Sequence, residues 1–277
     1  MPLTELMNYF NDQLQAQTQA RSLPKTGFYK AGGGYWARFG NLILGSNLRP
    51  IQAIAEDKLI GYEGELLVRS AVGNLLSIDS VFNSLDSNDQ IIHLDRLVRT
   101  LHSLNYLQQY DTNQHLLSLP VQPRHIVAVS GDHGKAFENI LSDCGLGPER
   151  VLLHTRLLDK ASLPHFNNAL NSYRSRGYKI GISLTQASEL VLLEHLGIEP
   201  DIIFLHYPQL RCVAMARSED ENLSPREALK LFNAKRIIVS NTQEVRWPLD
   251  KIYDGLLLID NQEPDDISLN GKPVFKP

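Results

Sequence analysis

Residues 48–69 read LRPIQAIAEDKLIGYEGELLVR. Two apolar runs flank a charged segment, a pattern that predicts two short strands joined by a turn. The stretch ends with a carboxylate and a guanidinium four residues apart, Glu65 and Arg69. An arginine at a strand end can hold a phosphate through two parallel hydrogen bonds. The same two side chains can instead form a structural ion pair, and the residues alone leave both interpretations open.

Around this stretch, apolar runs of strand length alternate with segments of helical periodicity. The stretch NLILGSNL precedes it, and the further strands are predicted in HLLSLPV, RVLLHT, YKIGISL, DIIFLHY, KRIIVSN and GLLLID. Most of these runs are continuously apolar, as strands buried on both faces of a parallel sheet should be. About eight strands separated by helices favour a TIM-like (β/α)8 barrel, in which ligands and catalytic groups lie at the carboxyl ends of the strands.

Helices are predicted between the strands, near residues 95–108, 135–144, 163–176 and 188–196. A further helix is predicted from residue 224, where Ser224, Pro225 and Glu227 form a capping box with proline at the first helical position. The regular order of strand and helix supports the barrel interpretation.

The first 36 residues show a different pattern. Residues 4–17 are predicted to form an amphipathic helix, because apolar side chains recur there at helical spacing. Residues 21–35 contain Pro24, Gly27 and a run of three glycines, which indicates a flexible connector rather than a phosphate-binding loop. We therefore predict an N-terminal helical extension and connector over residues 1–36 and a single barrel domain over residues 37–277.

Composition and charge argue against several functional classes. The 27 basic and 31 acidic residues give a net charge of −4 and are scattered along the chain, so no nucleic-acid or anionic-membrane footprint is expected. No run approaches the ~20 apolar residues of a membrane span, and no basic leader precedes an apolar segment. The two cysteines, Cys144 and Cys212, lie far apart, so neither a disulfide framework nor a zinc site is predicted. A cytoplasmic protein is expected.

Six segments in chain order carry a family resemblance: LRPIQ, ELLVR, IIHLDRLVRTL, SLPVQPR, GLGPERVLL and RSRGYKIGISL. They resemble the QPIV strand, the EALLR motif, the LIxxLDxxVL helix, the VNVSPR and GLxPERLxLE strands and the LRxxGVxIALDD strand of the EAL-type phosphodiesterases. That bacterial family consists of modified (β/α)8 barrels that linearise cyclic di-GMP with two divalent metals. The resemblance spans roughly residues 42–260 and implies a barrel of the EAL type.

The resemblance also implies a set of metal ligands, mostly carboxylates, because hard cations prefer oxygen and activate the attacking water. The EAL glutamate falls on Glu65 and is kept. The remaining ligand, lysine and glutamine positions of the family fall on Pro120, His154, Ser183, Leu184, Phe204, His206, Ser240, Gln243 and Asp254. Since Glu65 alone cannot hold two metals, no catalytic residue, no metal site and no cofactor are predicted, and the active site is interpreted as degenerate.

The function expected from this comparison is a catalytically inactive signalling protein. It would act either as a protein-interaction regulator with an unidentified partner or as a cyclic di-GMP receptor that does not hydrolyse its ligand. The alternative is a weak or divergent cyclic di-GMP phosphodiesterase that uses Mg²⁺ or Mn²⁺. A homodimer is a further expectation.

Four residues are predicted to contact a phosphate or dinucleotide, namely Glu65, Arg69, Arg49 and Asp254. A second hypothesis concerns metal binding. Two imidazoles at strand ends with a nearby carboxylate are typical of a two-histidine, one-carboxylate site, which would consist of Glu65, His154 and His206. Against it, histidine is also a common neutral replacement where an acid has been lost, and the sequence does not show that the three residues converge.

Overall fold

The computed structural model describes residues 2–53, 58–110, 115–129, 131, 133–157, 159, 161–184, 189, 192–193, 200–206, 236–240 and 255–258. Six α-helices lie with both ends in this part of the chain: α1 Leu3–Arg21, α2 Ile78–Asn83, α3 Asn88–Gln109, α4 Pro123–Ala128, α5 Lys135–Asp143 and α6 Leu163–Ser175. The local sequence explains where two of these helices begin. The Ser87 hydroxyl accepts the backbone N–H of Gln90 and caps α3, and Pro123 opens α4.

Eleven strands form one sheet in the described residues: β1 Thr26–Ala31, β2 Gly34–Phe39, β3 Leu42–Ala53, β4 Lys58–Arg69, β5 Leu75–Leu76, β6 Leu116–Pro120, β7 Val151–Arg156, β8 Lys179–Ser183, β9 Ile202–His206, β10 Arg236–Ser240 and β11 Gly255–Leu258. Strands β4, β6, β7, β8, β9, β10 and β11 pair in that order, all in parallel. Strand β3 is antiparallel to both β4 and β11, so the pairings run in a ring of eight strands.

This arrangement is the TIM-like α/β fold that the alternation of strands and helices predicts, modified by one antiparallel strand. The predicted strands on either side of the charged segment are β3 and β4, which pair from Ile43 with Arg69 to Ala53 with Lys58. The helices predicted near residues 95–108, 135–144 and 163–176 correspond to α3, α5 and α6. The helix predicted from residue 224 lies outside the described residues, and so does most of the one near 188–196.

Two apolar cores result from the period-two alternation of the strands. The larger core lies between the sheet and the helices and includes Leu117, Leu119, Val151, Leu153, Ile180 and Ile182. The smaller core fills the inside of the barrel and consists of Ile51, Leu116, Leu152, Ile202 and Phe204. Successive residues of a strand point to opposite faces, so β6 and β7 each supply side chains to both cores. The polar residues that follow the inner core along the strands lie at the carboxyl end of the barrel.

The N-terminal segment differs from the predicted flexible connector. Strands β1 and β2 form an antiparallel hairpin, and Gly32 and Gly33 have φ values of 57° and 83° in its turn, a conformation that glycine adopts without strain. The amide of Asn11 on α1 donates to the carbonyl of Phe28 and its oxygen accepts that residue's N–H. The hairpin joins the barrel sheet through β3. The predicted boundary at residue 36 therefore falls inside β2, within one continuous sheet.

None of the helices in the described residues is long and apolar enough to cross a membrane. Cys144 is a buried free thiol whose pKa burial raises to about 12, while Cys212 lies outside the described residues.

Candidate functional site

A cavity of about 270 Å³ opens at the carboxyl ends of the parallel strands, where the barrel fold predicts a site. Strands β6, β7 and β8 contribute their last residues, and strands β3 and β4 contribute charged side chains. Its wall includes Arg49, Glu63, Glu65, Asp79, Asp95, Pro120, Gln122, His154, Arg156 and Ser183. Four of the positions that the sequence analysis placed at strand ends, Glu65, Pro120, His154 and Ser183, are thus brought together.

His154 lies on the floor of this cavity and has a polar partner on each ring nitrogen. Its Nδ1 is 3.0 Å from the Ser118 hydroxyl oxygen, and its Nε2 is 3.3 Å from Oε1 of Glu63. The ring also packs against Phe204, with centroids 4.3 Å apart. Gly181 on β8 provides the space, since a Cβ there would lie 2.6 Å from Cβ of His154 and 2.7 Å from the Phe204 ring.

The protonation state of His154 follows from its burial. Burial lowers the pKa of His154 to about 3, and the imidazole of His102 acts in the same direction, so the ring is neutral at neutral pH. A carboxylate oxygen can only accept a hydrogen, so the contact with Glu63 is attractive when Nε2 carries the proton. Nδ1 then accepts the hydroxyl hydrogen of Ser118. Both ring nitrogens are therefore engaged by the protein itself.

Glu65 lies two residues further along β4 on the same face of the strand. The Asn47 amide donates to its Oε2 at 3.0 Å, and a guanidinium nitrogen of Arg49 lies 3.9 Å from its Oε1. Both partners come from β3, whose register places Asn47 opposite Glu65 and Arg49 opposite Glu63. Two of the predicted ligand-contacting residues, Glu65 and Arg49, are therefore neighbours in the cavity wall.

Arg69 does not belong to this site. Its guanidinium donates to the carbonyl of Gly73 at 3.1 Å and so holds the turn between β4 and β5. Four residues of extended strand span ~13 Å, so residues with this spacing are not neighbours as they would be on a helix. The prediction that Arg69 joins Glu65 in a ligand site or ion pair is corrected accordingly. The fourth predicted residue, Asp254, lies outside the described residues.

The metal hypothesis that combined Glu65, His154 and His206 can be compared with these contacts. The carboxylate that faces His154 is Glu63, not Glu65, while the side chain of His206 lies outside the described part of the chain. Among the residues that the structure describes, no group of three histidine, cysteine, aspartate or glutamate side chains could hold a metal ion.

The pair of divalent metals implied by the resemblance does not fit the described residues. The carboxylate of Glu63 faces an imidazole and that of Glu65 faces an amide and a guanidinium. At the neighbouring strand ends, Pro120 offers no side-chain ligand and Ser183 offers only a neutral hydroxyl. Two hard cations need many more oxygen ligands than this wall supplies.

A buried ion pair supports the cavity wall from the helix side. Arg99 of α3 donates two hydrogen bonds to Oδ2 of Asp95, at 2.6 and 3.0 Å, and both side chains are almost fully buried. The other carboxylate oxygen of Asp95 accepts the backbone N–H of Gln122 at 2.8 Å. His125 also approaches Asp95, with Nδ1 3.1 Å from Oδ2. Asp95 thus fixes the loop after β6 to α3.

The mouth of the cavity carries a more exposed ion pair. Arg156, the last residue of β7, donates to Oδ1 of Asp79 on α2 at 3.0 Å. The side chains are 43% and 65% exposed, so solvent screens their attraction and the pair contributes little stability. Of the two arginines in the cavity wall, Arg49 and Arg156, Arg156 is therefore the more exposed to solvent.

Sequence reasoning missed Glu63, Ser118, Asn47 and Asp95 as members of the site. Glu63 could have been found from the sequence. Side chains two residues apart on a strand lie on the same face, so a Glu65 at the mouth of the barrel places Glu63 on the same face and deeper inside. Asn47 could have been found only from the pairing register of β3 with β4.

No protein-family model matches the chain, and the search of curated proteins finds no match. Solved structures do match. A standalone EAL protein of Vibrio cholerae O395 in its c-di-GMP-bound form is 14% identical with a TM-score of 0.55, over 77% of this chain and 88% of that one. Klebsiella pneumoniae BlrP1, a manganese and c-di-GMP complex at pH 9.0, is 17% identical with a TM-score of 0.53, over 83% and 59%.

The YkuI protein of Bacillus subtilis, with an EAL domain and in complex with c-di-GMP and calcium, is 16% identical with a TM-score of 0.53. That match covers 72% of this chain and 49% of YkuI, so the chain spans only about half to three-fifths of the length of these two larger neighbours. At such identities the likeness establishes the fold alone. The chain has the EAL-like fold, as its sequence motifs predict.

Proposed function

We propose that this chain, whose fold is that of the EAL domains, is a catalytically inactive regulator in cyclic di-GMP-related signalling. It would act in the cytoplasm by contact with a protein partner rather than by cutting a phosphodiester. The existence of a protein partner and of a signalling pathway for the whole protein is part of this proposal.

One observation carries the proposal: the two carboxylates of β4 that face the cavity are occupied by protein groups. Glu63 faces the neutral imidazole of His154 at 3.3 Å, and Glu65 accepts from Asn47 and lies near Arg49. Metal-assisted hydrolysis needs carboxylates that converge on cations, with a water held between them. Carboxylates that already have protein donors support a structural role for this wall.

The charges around the cavity support the same conclusion. Four acids, Glu63, Glu65, Asp79 and Asp95, line it together with two arginines, Arg49 and Arg156. The phosphates of a dinucleotide are negatively charged and are repelled by carboxylates. Bound cations are a common way to neutralise this repulsion. With more carboxylates than guanidiniums in the described wall, binding of an anionic substrate is disfavoured.

The test is incubation of the purified chain with cyclic di-GMP and Mg²⁺ or Mn²⁺, with the products separated by chromatography. We expect no linear dinucleotide beyond that formed in buffer. The proposal is overturned if the native protein makes linear product and both Glu63→Gln and Glu65→Gln lose it. Glu149→Gln, on an exposed position outside the cavity, is the matched control and should behave as the native chain.

A second candidate is a cyclic di-GMP receptor that does not hydrolyse its ligand. The observation in its favour is Arg156, which stands at the mouth of the cavity with 43% of its side chain exposed and could hold a phosphate bidentately. Calorimetric titration with cyclic di-GMP discriminates the two candidates. Binding that Arg156→Ala weakens and Arg174→Ala on α6 leaves unchanged would favour the receptor, whereas no heat at micromolar ligand favours the protein-contact regulator.

A homodimer is also proposed, and the described residues supply no contact that defines its interface. Light scattering of the purified chain over a range of concentrations measures the mass directly. A mass equal to that of one chain at every concentration would contradict the dimer.

A further inference from the structure

We propose that His154 makes the cavity independent of metal, because its imidazole takes the position beside Glu63 that a divalent cation would otherwise need to fill. This inference rests on the proposed function and deepens it, since it names the residue by which the site is closed to cations. It concerns Mn²⁺ and Ca²⁺, the ions present in the solved EAL structures described above.

Glu63 is a largely buried carboxylate. Its side chain is 13% exposed and that of His154 is 9% exposed. A carboxylate withdrawn this far from water needs a compensating group, either a cation or a hydrogen-bond donor. The imidazole of His154, on a strand of the same barrel, lies on this carboxylate with Nε2 3.3 Å from Oε1.

The imidazole of His154 has a fixed orientation. Ser118 holds Nδ1 at 3.0 Å, and Phe204 packs on the ring at 4.3 Å between centroids. These contacts come from β6 and β9, the strands before and after the pair β7 and β8. A ring fixed in this way keeps Nε2 directed at Glu63 without the help of a ligand.

A cation beside Glu63 would require further oxygen ligands. Mn²⁺ and Ca²⁺ prefer sets of oxygen ligands, above all carboxylates. At this position the described residues offer one carboxylate and one imidazole, and the next carboxylate, Glu65, is held by Asn47 at 3.0 Å. An acid in place of His154 would instead set two carboxylates face to face, an arrangement whose repulsion a cation relieves.

The experiment is titration of the native chain and its variants with MnCl2, followed by calorimetry and by the electron paramagnetic resonance signal of free Mn²⁺. CaCl2 serves as a second probe. The native chain and His154→Gln, whose amide can still donate to Glu63, are expected to show no saturable site at millimolar metal. His154→Glu is expected to bind Mn²⁺ at least about tenfold more tightly, and addition of Glu63→Gln to it should abolish that gain.

The decisive measurement is Mn²⁺ binding by the native chain. Two side chains that bind one cation at metal–ligand distances of about 2.1 Å can also lie about 3 Å apart, so the distance between His154 and Glu63 is compatible with a shared metal as well. Saturable Mn²⁺ binding by the native chain that is lost in both His154→Gln and Glu63→Gln would overturn the inference. This result does not depend on whether His154→Glu folds. It is also separate from the hydrolysis assay, since a chain that binds Mn²⁺ without cutting cyclic di-GMP would refute this inference and leave the proposed function standing.

Discussion

His154 and Glu63 face each other inside the barrel with Nε2 and Oε1 3.3 Å apart, although β6 separates their strands. The register explains the contact, because Glu63 lies opposite Ser118 on β6 and His154 lies opposite Pro120, two residues further along. Ser118 then bonds to the second ring nitrogen of His154. Three adjacent parallel strands thus build one polar cluster above the apolar interior of the barrel.

The first prediction concerns the stability of this pair. His154→Ala removes one partner of the buried Glu63 carboxylate and leaves a cavity, so we expect a loss of about 2–4 kcal/mol in the free energy of unfolding. Glu63→Gln keeps an acceptor oxygen for the neutral imidazole and is expected to change it by less than about 1 kcal/mol. Urea unfolding followed by circular dichroism measures both. Equal losses in the two variants would contradict a neutral, donating His154.

The second prediction concerns Asp95, whose removal strands a buried guanidinium. Arg99 donates twice to Asp95, so Asp95→Ala is expected to cost about 3–5 kcal/mol in the free energy of unfolding. Asp89→Asn is the matched control on the same helix. Its carboxylate lies 3.5 Å from Arg21, with both side chains more than half exposed, and the change is expected to stay within about 0.5 kcal/mol. Similar losses for both variants would show that burial of Arg99 is not the cause.

Much of the fold could be predicted from the sequence because strands buried on both faces are continuously apolar. That signal located β3, β4 and the six parallel strands that follow. The β1 and β2 hairpin was missed because glycines were interpreted as flexibility, whereas Tyr35, Ala37 and Phe39 are buried in alternation along β2. An alternating run after a glycine turn is the signal that could have shown the strand.

The site was less predictable, for reasons of geometry. Strand-end positions such as His154 and Ser183 follow from the barrel rule, but the partner of each depends on register between strands. Arg69 was assigned to the site as an arginine at a strand end, and the strand carries it away from the cavity to the turn at Gly73. Asp95 lies on a helix that is buried on several faces, so an apolar stripe could not indicate which of its polar residues is enclosed.

The third prediction is a loss of stability at acidic pH. Burial lowers the pKa of His102 to about 3, and it lowers that of His93 and of His125 to about 4. The unfolded chain protonates these imidazoles near pH 6.5, so it binds more protons than the folded chain below that value. Stability is therefore complete above pH 6.5 and falls as the pH drops from there towards 4, by about 1.4 kcal/mol per pH unit for each buried imidazole.

Thermal unfolding at pH 8, 6.5 and 5 measures this dependence. His102→Asn removes the titrating group, and the amide can keep a bond to the Ser46 hydroxyl, which lies 2.7 Å from Nδ1 of His102. This variant is expected to lose less stability between pH 6.5 and pH 5 than the native chain, by about 2 kcal/mol. His165→Asn, on the exposed side of α6, is the control. An unchanged pH dependence in His102→Asn would refute the assignment.

The fourth prediction concerns the contact between β4 and α3 at Gly64. A Cβ added there would lie 2.6 Å from Cγ and 2.8 Å from Cδ2 of His102, so the imidazole would have to move and lose its bond with Ser46. Overpacking of this kind typically costs about 1–3 kcal/mol, which we expect for Gly64→Ala in urea unfolding. Gly131→Ala places its methyl group in open space and should be neutral or slightly stabilising, because alanine restricts the unfolded chain. Equal changes in the free energy of unfolding for Gly64→Ala and Gly131→Ala would contradict this prediction. Helix α3 could then move away from β4, and the packing of His102 would not hold the strand that carries Glu63 and Glu65 in place.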